Sequence, residues 1–440
     1  MTKASASAVV QARGPLSGIV RVPGDKSVSH RALILAGIAA GTSSVTGLSS
    51  GLDVRHTREA MQELGATITE ADDAASASSV GTLTVLGGAL NEPTEVLDVG
   101  NSGTGARLLA GLCAGQPFRT VITGDDSIAT RPMDRVVVPL RSMGAVIDGR
   151  EGGRFTPLTI HGGGLHGIDY TPPMASAQVK SAILLAGLFA DGTTNVREKV
   201  PTRRHTEEML AEHGIDVATE TDDGGGSVVT LRPGPVSAGE FAVPGDPSQA
   251  AFWICAAAAN PGSDVTVENL YLSPERAGFL DVLLAMGADL DIDRGRGTVR
   301  ARGRELTGTV VTGSQLPDLI DEVPALAIAG ALAASGSLEF RDAGELRTKE
   351  SDRIATVLSM LRALGGEATD DPTRLVVQAK GPGGLRSGHV ASHHDHRIAM
   401  AAAVASVAMR AGDTVEIDDW DCVATSYPGF LDDLDTLTAE

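Results

Sequence analysis

The sequence predicts an α/β chain of two similar domains, each made of three repeats in which a buried helix is sheathed by sheet. Three observations predict it. A first kind of segment recurs six times: KSVSHRALILAGIAAG, NSGTGARLLAGLCAG, SAQVKSAILLAGLFADG, DPSQAAFWICAAAANPG, DEVPALAIAGALAASG and DHRIAMAAAVASVAMRAG. These segments open at Lys26, Asn101, Ser176, Asp246, Asp321 and Asp395, at intervals of 75, 75, 70, 75 and 74 residues. A second, amphipathic series is interleaved with the first and steps from an apolar residue to Gly65, Gly144, Gly214, Gly287 and Gly365, at intervals of 79, 70, 73 and 78. Finally, VPGD stands at Val22–Asp25 and again at Val243–Asp246, three repeats apart, which groups the repeats as three plus three.

Each element has a physical reason. The six recurring segments are apolar nearly all round, and a helix apolar on every side belongs in a core. The glycine that closes each one reads as a left-handed C-cap. Polar residues at each opening then mark a buried helix N-terminus. The second series reads as amphipathic helices running into strands, its sixth copy, PGFLDDLDTL, running off the C-terminus. The β-branched runs SSVTGL, RTVITG, TTNVRE, SDVTVENL and DTVEIDD read as further strands. A period this long exceeds that of the usual solenoid repeats and fits closed α/β domains. The polar start, MTKASASAVVQARGPLSG, reads as a frayed end without the apolar core of a signal peptide.

Composition narrows the function. The chain has 440 residues and a formal net charge of -20, so its overall field repels polyanions and argues against nucleic acid as a partner. An anionic ligand must therefore meet a local cationic pocket. Cys113, Cys255 and Cys422 lie far apart without CxxC spacing, which indicates neither a disulfide framework nor a zinc site and fits a reducing cytoplasm. The longest apolar runs fall short of the roughly 18 to 20 residues that span a bilayer.

The helix openings carry the chemistry. A helix N-terminus offers unpaired N–H groups and about half a positive charge, which favours anions. Lys26, Arg31, Arg107, Lys180 and Arg397 add cations to the buried series, and Arg131, Arg203, Lys349 and Arg353 to the amphipathic one. Taken singly, each reads as a solvated side chain; repeated at equivalent openings, they read as a clamp for phosphates and carboxylates. Asp321 reads either as an N-cap or as a general base, and Glu350 either as a surface ion pair or as a general acid. His396 is open between acid/base work and orienting Arg397. Metal binding by His393, His394 and His396 is disfavoured by their spacing. Gly103 and Gly105 in NSGTGAR suggest a phosphate loop without matching the Walker pattern.

Seven motifs in order, GDKSVSHR, NSGTGAR, RPMDR, ASAQVKSA, LIDEVPALA, LRTKESDR and DHRIAM, resemble the 5-enolpyruvylshikimate-3-phosphate synthase family over essentially the whole chain. The resemblance implies two inverse α/β barrel domains, each of three βαβαββ repeats, joined by a two-strand hinge with the active site in the cleft. It assigns residues 23–243 to one domain and residues 1–22 with 244–440 to the other. It implies transfer of the enolpyruvyl group of phosphoenolpyruvate to the 5-hydroxyl of shikimate 3-phosphate by addition and elimination, in a cytoplasmic monomer, with neither metal nor organic cofactor. On the matching positions, Lys26, Ser27, Arg31, Ser176, Ala177, Gln178, Arg203, Asp321 and Lys349 would hold shikimate 3-phosphate. Lys26, Gly103, Arg131, Gln178, Arg353 and Arg397 would hold phosphoenolpyruvate. Asp321 would be the base toward the hydroxyl, with Lys26 and Glu350 as candidates for the proton traffic at the methylene carbon.

The sequence departs from many members at Asp134, where glycine is common, and at Thr425 and Glu345, which match a second bacterial branch. Gly103 is where glyphosate-insensitive members often carry alanine, so the resemblance implies sensitivity. Two rivals differ in class. One is the sister transferase acting on UDP-N-acetylglucosamine, which starts with Lys-Asn and usually carries a reactive loop cysteine; here the pair is Lys26-Ser27 and RPMDR has no cysteine. The other is a non-catalytic paralogue that senses phosphorylated metabolites.

Overall fold

The computed structural model describes residues 6–71, 81–222 and 224–438. The chain divides into two compact units, residues 24–243 and residues 1–23 with 244–440, each with its own hydrophobic core. Three core helices run through the first unit, Lys26–Ile38, Gly103–Ala114 and Ala177–Gly187. The other has Pro247–Ala259, Val323–Leu332 and His396–Ala405. All six are rich in small and aliphatic residues and are buried along most of their length, because beyond the first turns no face is polar enough to meet water. Small residues also let backbones touch. A Cβ on Gly111 would fall 2.3 Å from the carbonyl oxygen of Ala182, so the second and third core helices pack at a distance only glycine allows.

Five of the six sheets among the described residues share one topology. In the second repeat, Leu97–Asp98 pairs parallel with Arg119–Thr123, which pairs antiparallel with Phe155–His161, and that strand with Val146–Gly149. One helix follows each of the first two strands in the chain, giving βαβαββ. Four other sheets share this order of one parallel and two antiparallel pairings. Each unit completes its first sheet with a strand from elsewhere in the sequence. Glu240–Ala242 pairs parallel with Ser44–Thr46, and Ser17–Val20 with Asp264–Val267.

The sixth sheet corrects the reading of the N-terminus. Gly388–Ala391 pairs parallel with Val415–Asp418, and Ala8–Gln11 pairs antiparallel with Thr414–Ile417. Residues 1–5 lie outside those described, but Ala8–Gln11 is not frayed; its residues alternate, with Ala8 and Val10 buried and Val9 and Gln11 exposed. The third strand of this sheet thus comes from the start of the chain.

Two kinds of glycine separate here. Those of the amphipathic series follow the helix C-cap directly with φ of +103° at Gly65, +110° at Gly144, +85° at Gly214, +92° at Gly287 and +77° at Gly365. There the left-handed backbone is what turns each helix into its strand. The core helices differ from expectation. Their C-caps are Ala39, Gly115, Leu188, Asn260, Ala333 and Ser406, and Gly115 is right-handed. The left-handed glycines Gly41, Gly192, Gly262, Gly336 and Gly412 sit farther on, Gly41 as the first residue of the next strand and the others just before it. A fully buried helix end has no room for an immediate reversal, so the turn is made at the surface.

The two VPGD copies mark where the chain passes between units, after Pro23 and after Val243. Both aspartates cap a core helix: Asp25 Oδ1 accepts from the Val28 N–H at 2.9 Å and Asp246 Oδ1 from the Ser248 N–H at 2.8 Å. No helix among the described residues is long and apolar enough to cross a membrane.

Candidate active site

The 24–243 unit gathers its polar residues at three helix openings. Lys26 is the first residue of its helix, partly exposed, with Nζ 3.1 Å from Asp53 Oδ2. One turn on, Arg31 is buried and donates to Thr206 Oγ1, Ser181 Oγ and the Ser27 carbonyl, each at 2.7 Å. At the second opening, Ser102 caps the helix by accepting from the Gly105 N–H at 3.0 Å. Gly103 lies between two guanidinium groups: an added Cβ would sit 3.0 Å from Arg107 Nη1 and 3.1 Å from Arg131 Nη1. Arg131 donates to Ser127 Oγ at 3.3 Å from the loop before helix Asp134–Ser142.

The third opening is tied to the second. Ser176 is the N-cap of its helix, and Ser176, Ala177 and Gln178 are partly exposed. The Gln178 carbonyl oxygen accepts from Arg107 Nη1 at 2.6 Å while its amide donates to Thr104 Oγ1 at 2.9 Å. Arg107 also donates to the Pro132 carbonyl at 3.1 Å, which fixes the start of RPMDR against the same guanidinium. Gln178, Gly103 and the Arg131 loop therefore form one hydrogen-bonded group. Arg203 lies half-buried on the exposed segment leading into helix His205–Glu212.

His30 and Lys180 turn inward instead. His30 is fully buried, with Nδ1 2.7 Å from Thr57 Oγ1 and Nε2 3.4 Å from Ser102 Oγ. Burial, and then the nearby charges of Lys26 and Arg31, hold its pKa well below the ordinary value, so the ring is neutral and links two helices. Lys180 is 1% exposed and reaches Glu198 at 2.8 Å and Glu207 at 2.7 Å, which removes it from the ligand-facing cations that the sequence suggested.

The other unit pairs its cations with carboxylates. Arg353 opens helix Arg353–Ala363 and is fully buried. It meets Asp321 at 3.1 Å, Asp395 at 3.0 Å, and Glu350. Burial opposes its charge, but Asp395, Glu350 and Asp321 outweigh that and hold its pKa above the ordinary value. Arg397 Nη1 donates to the Asp321 carbonyl at 3.2 Å, and its Nε lies 3.9 Å from Asp321 Oδ1. Lys349 pairs with Glu345 at 3.0 Å.

Asp321 is not the N-cap that one reading of the sequence allowed. The helix begins at Val323 with Glu322 in the cap position and without a side-chain cap bond, and Asp321 precedes it. Its carboxylate turns to Arg353 because two arginines outcompete a single backbone N–H. His396 is buried at the first position of its helix, while His393 and His394 are exposed in left-handed backbone. The three do not converge, and no group of His, Cys, Asp or Glu suited to a metal occurs among the described residues.

The sequence pointed to no ligand or catalytic role for Asp395 or Asp53, each of which holds a singled-out residue in place, and it read Arg107 only as a ligand-facing cation, whereas Arg107 holds Gln178. The available signal was that a buried arginine or lysine needs a carboxylate, and Asp395 directly precedes His396 and Arg397. The departures have local explanations. Asp134 is exposed in the first turn of its helix, where the dipole favours it. Thr425 donates to the Cys422 carbonyl at 2.7 Å, and Glu345 holds Lys349. All three cysteines are free and buried, with Cys113 and Cys422 pushed up by burial to about 12, so neither thiol is a ready nucleophile.

Comparison with known proteins bears on this arrangement. The family model described as EPSP synthase (3-phosphoshikimate 1-carboxyvinyltransferase) matches residues 10–434. A 3-phosphoshikimate 1-carboxyvinyltransferase of Herpetosiphon aurantiacus is 45% identical over 428 residues, covering 94% of this chain and 95% of the relative. The solved EPSP synthase of Acinetobacter baumannii superposes with a TM-score of 0.84 at 39% identity, covering 98% of each chain. The enolpyruvyl transferase NikO from Streptomyces tendae shares the fold at 19% identity, with a TM-score of 0.79 over 100% of this chain and 98% of its own.

Proposed function

The chain belongs to the EPSP synthase family, and from that premise we propose that it transfers the enolpyruvyl group of phosphoenolpyruvate to the 5-hydroxyl of shikimate 3-phosphate, releasing phosphate. The observation that carries this reading is Asp321, held between Arg353 and Arg397, with Glu350 on the same Arg353 guanidinium. Two carboxylates beside two fixed cations suit proton transfer next to an anionic substrate.

In the proposed reaction Lys26, Ser27, Arg31, Ser176, Ala177, Gln178, Arg203, Asp321 and Lys349 bind shikimate 3-phosphate. Lys26, Gly103, Arg131, Gln178, Arg353 and Arg397 bind phosphoenolpyruvate. Asp321 accepts the proton of the 5-hydroxyl as its oxygen bonds to C2 of phosphoenolpyruvate, and a proton from Lys26 or Glu350 reaches the methylene carbon. That gives a tetrahedral adduct. Loss of a proton from the new methyl and departure of phosphate then restore the double bond. The cations supply charge stabilisation in place and need no rearrangement as charge moves.

A net charge of -20 and three free cysteines support the further reading of a cytoplasmic monomer without a nucleic-acid partner. The test is phosphate release from phosphoenolpyruvate with shikimate 3-phosphate, run beside UDP-N-acetylglucosamine. Release with the shikimate ester alone is the expected result. Release with the sugar alone overturns the substrate, and release with neither leaves a binding protein.

A further inference from the structure

We propose that the buried Lys180–Glu198–Glu207 cluster is a positioning device for Arg203, holding the segment 199–204 in one register against the third core helix. The proposal rests on the reading above, in which Arg203 binds shikimate 3-phosphate. Lys180 stands two residues after Gln178 on that helix, and all three cluster side chains are at most 3% exposed.

Strand Thr194–Glu198 ends at one anchor and helix His205–Glu212 begins at the other. Between them, residues 199, 200, 201 and 204 are exposed and Thr202 and Arg203 half-buried, so the segment has little packing to fix it. Its anchors are polar. Lys180 Nζ donates to Glu198 Oε2 at 2.8 Å and to the Thr202 carbonyl at 3.2 Å. The Thr202 hydroxyl donates to Glu198 Oε1, and Ser227 Oγ donates to Glu198 Oε2 at 3.1 Å. On the far side Lys180 Nζ is 2.7 Å from Glu207 Oε1. The next residue of the core helix continues the grip: Thr206 Oγ1 donates to Ser181 Oγ at 2.7 Å and accepts from Arg31 Nε at 2.7 Å. Both ends of the Arg203 segment are thus fastened to Lys180 and Ser181, on the helix whose first turn carries Ser176, Ala177 and Gln178.

Stability alone does not account for such a cluster. One ammonium and two carboxylates out of water carry a desolvation cost that apolar residues of similar volume avoid, and such replacements are often as stable or more so. What an apolar cluster cannot do is bond the Thr202 carbonyl and hydroxyl, one residue before Arg203. The arrangement sets direction and register, in the way that hydrogen bonds behind a binding residue do.

The test is a double-mutant cycle on the full chain. Lys180→Met and Arg203→Ala are made singly and together, with Thr202→Val as a milder variant that leaves the cluster's charges intact. Shikimate 3-phosphate binding is read by calorimetry and both KM values by steady-state kinetics. The expected result for Lys180→Met is a KM for shikimate 3-phosphate raised about tenfold, the loss of roughly one charge-assisted contact, with the KM for phosphoenolpyruvate within about twofold. Thr202→Val moves the same KM in the same direction. Arg203→Ala then adds little in the Lys180→Met background. Full additivity, or an unchanged KM in folded Lys180→Met or Thr202→Val, overturns the positioning role. Unchanged affinity in Arg203→Ala alone overturns the assignment of Arg203, and the positioning role with it.

Discussion

The core-helix openings of the two units follow one plan and use opposite chemistry. In the 24–243 unit they are capped by Asp25, Ser102 and Ser176, and the arginines beside them bond hydroxyls, an amide and carbonyls. In the other unit the cap positions are Asp246, Glu322 and Asp395, all buried, and two buried arginines hold them: Arg276 lies 2.6 Å from Asp246 and 3.9 Å from Glu322, and Arg353 lies 3.0 Å from Asp395. The repeat dictates a polar residue at each opening because a buried helix start must satisfy its N–H groups. It does not dictate the sign of the charge. One unit therefore sets its opening arginines against neutral groups, and the other against carboxylates that they keep charged and oriented.

The VPGD copies show the divergence most plainly. Lys26 and Arg31 of the first align with Pro247 and Phe252 of the second, where the whole helix Pro247–Ala259 is buried. If that contrast is right, Lys26→Ala lowers kcat/KM by about a thousandfold or more while the unfolding free energy stays within about 2 kcal/mol of the parent, since the residue supplies charge rather than core volume. Near-normal turnover in that variant would remove Lys26 from the chemistry. Asp246→Ala strips a carboxylate from buried Arg276 together with the helix cap and should cost about 3–5 kcal/mol. A loss of only about 1 kcal/mol in chemical denaturation, that of a cap alone, would break the comparison.

Gly103→Ala probes the 24–243 unit alone. Its methyl would press on Arg107 and Arg131 at 3.0 and 3.1 Å, so the KM for phosphoenolpyruvate should rise about tenfold with that for shikimate 3-phosphate within about twofold. Inhibition by glyphosate should weaken in parallel; unchanged KM and inhibition would separate Gly103 from that substrate. The smallest effect is in pH. His30 has a lowered folded pKa, so its neutral form is matched to the fold above about pH 6.5, and as pH falls below that value the unfolded chain takes up a proton the folded one refuses. Stability is lost in that window at up to about 1.4 kcal/mol per pH unit. His30→Gln should flatten the slope between pH 7 and 5, and an unaltered slope would mean that His30 is protonated in the fold.

Much of the fold was legible because its signals are local. Six segments without a polar face have nowhere to go but a core, and the glycines from Gly65 to Gly365 mark turns that need left-handed backbone. The pairing of Ala8–Gln11 with Thr414–Ile417 was not legible as a strand signal, since four residues, AVVQ, are too short a run to show an alternation. Partners were harder still. Lys180 and Arg397 occupy similar places at helix openings, but Lys180 faces Glu198 and Glu207, and nothing near it in sequence announces two carboxylates 18 and 27 residues away. Asp321 looked like a cap because caps are chosen by neighbours in the chain; its actual partner, Arg353, comes from the next helix.

The central claim is enolpyruvyl transfer to shikimate 3-phosphate. The most direct measurement is mass spectrometry of the shikimate ester after incubation with phosphoenolpyruvate and the protein, with inorganic phosphate quantified in the same sample. The expected product is an ester heavier by one enolpyruvyl group, formed in equal amount with released phosphate and at least about a thousandfold more slowly in Lys26→Ala. An ester of unchanged mass, with or without phosphate release, would contradict it.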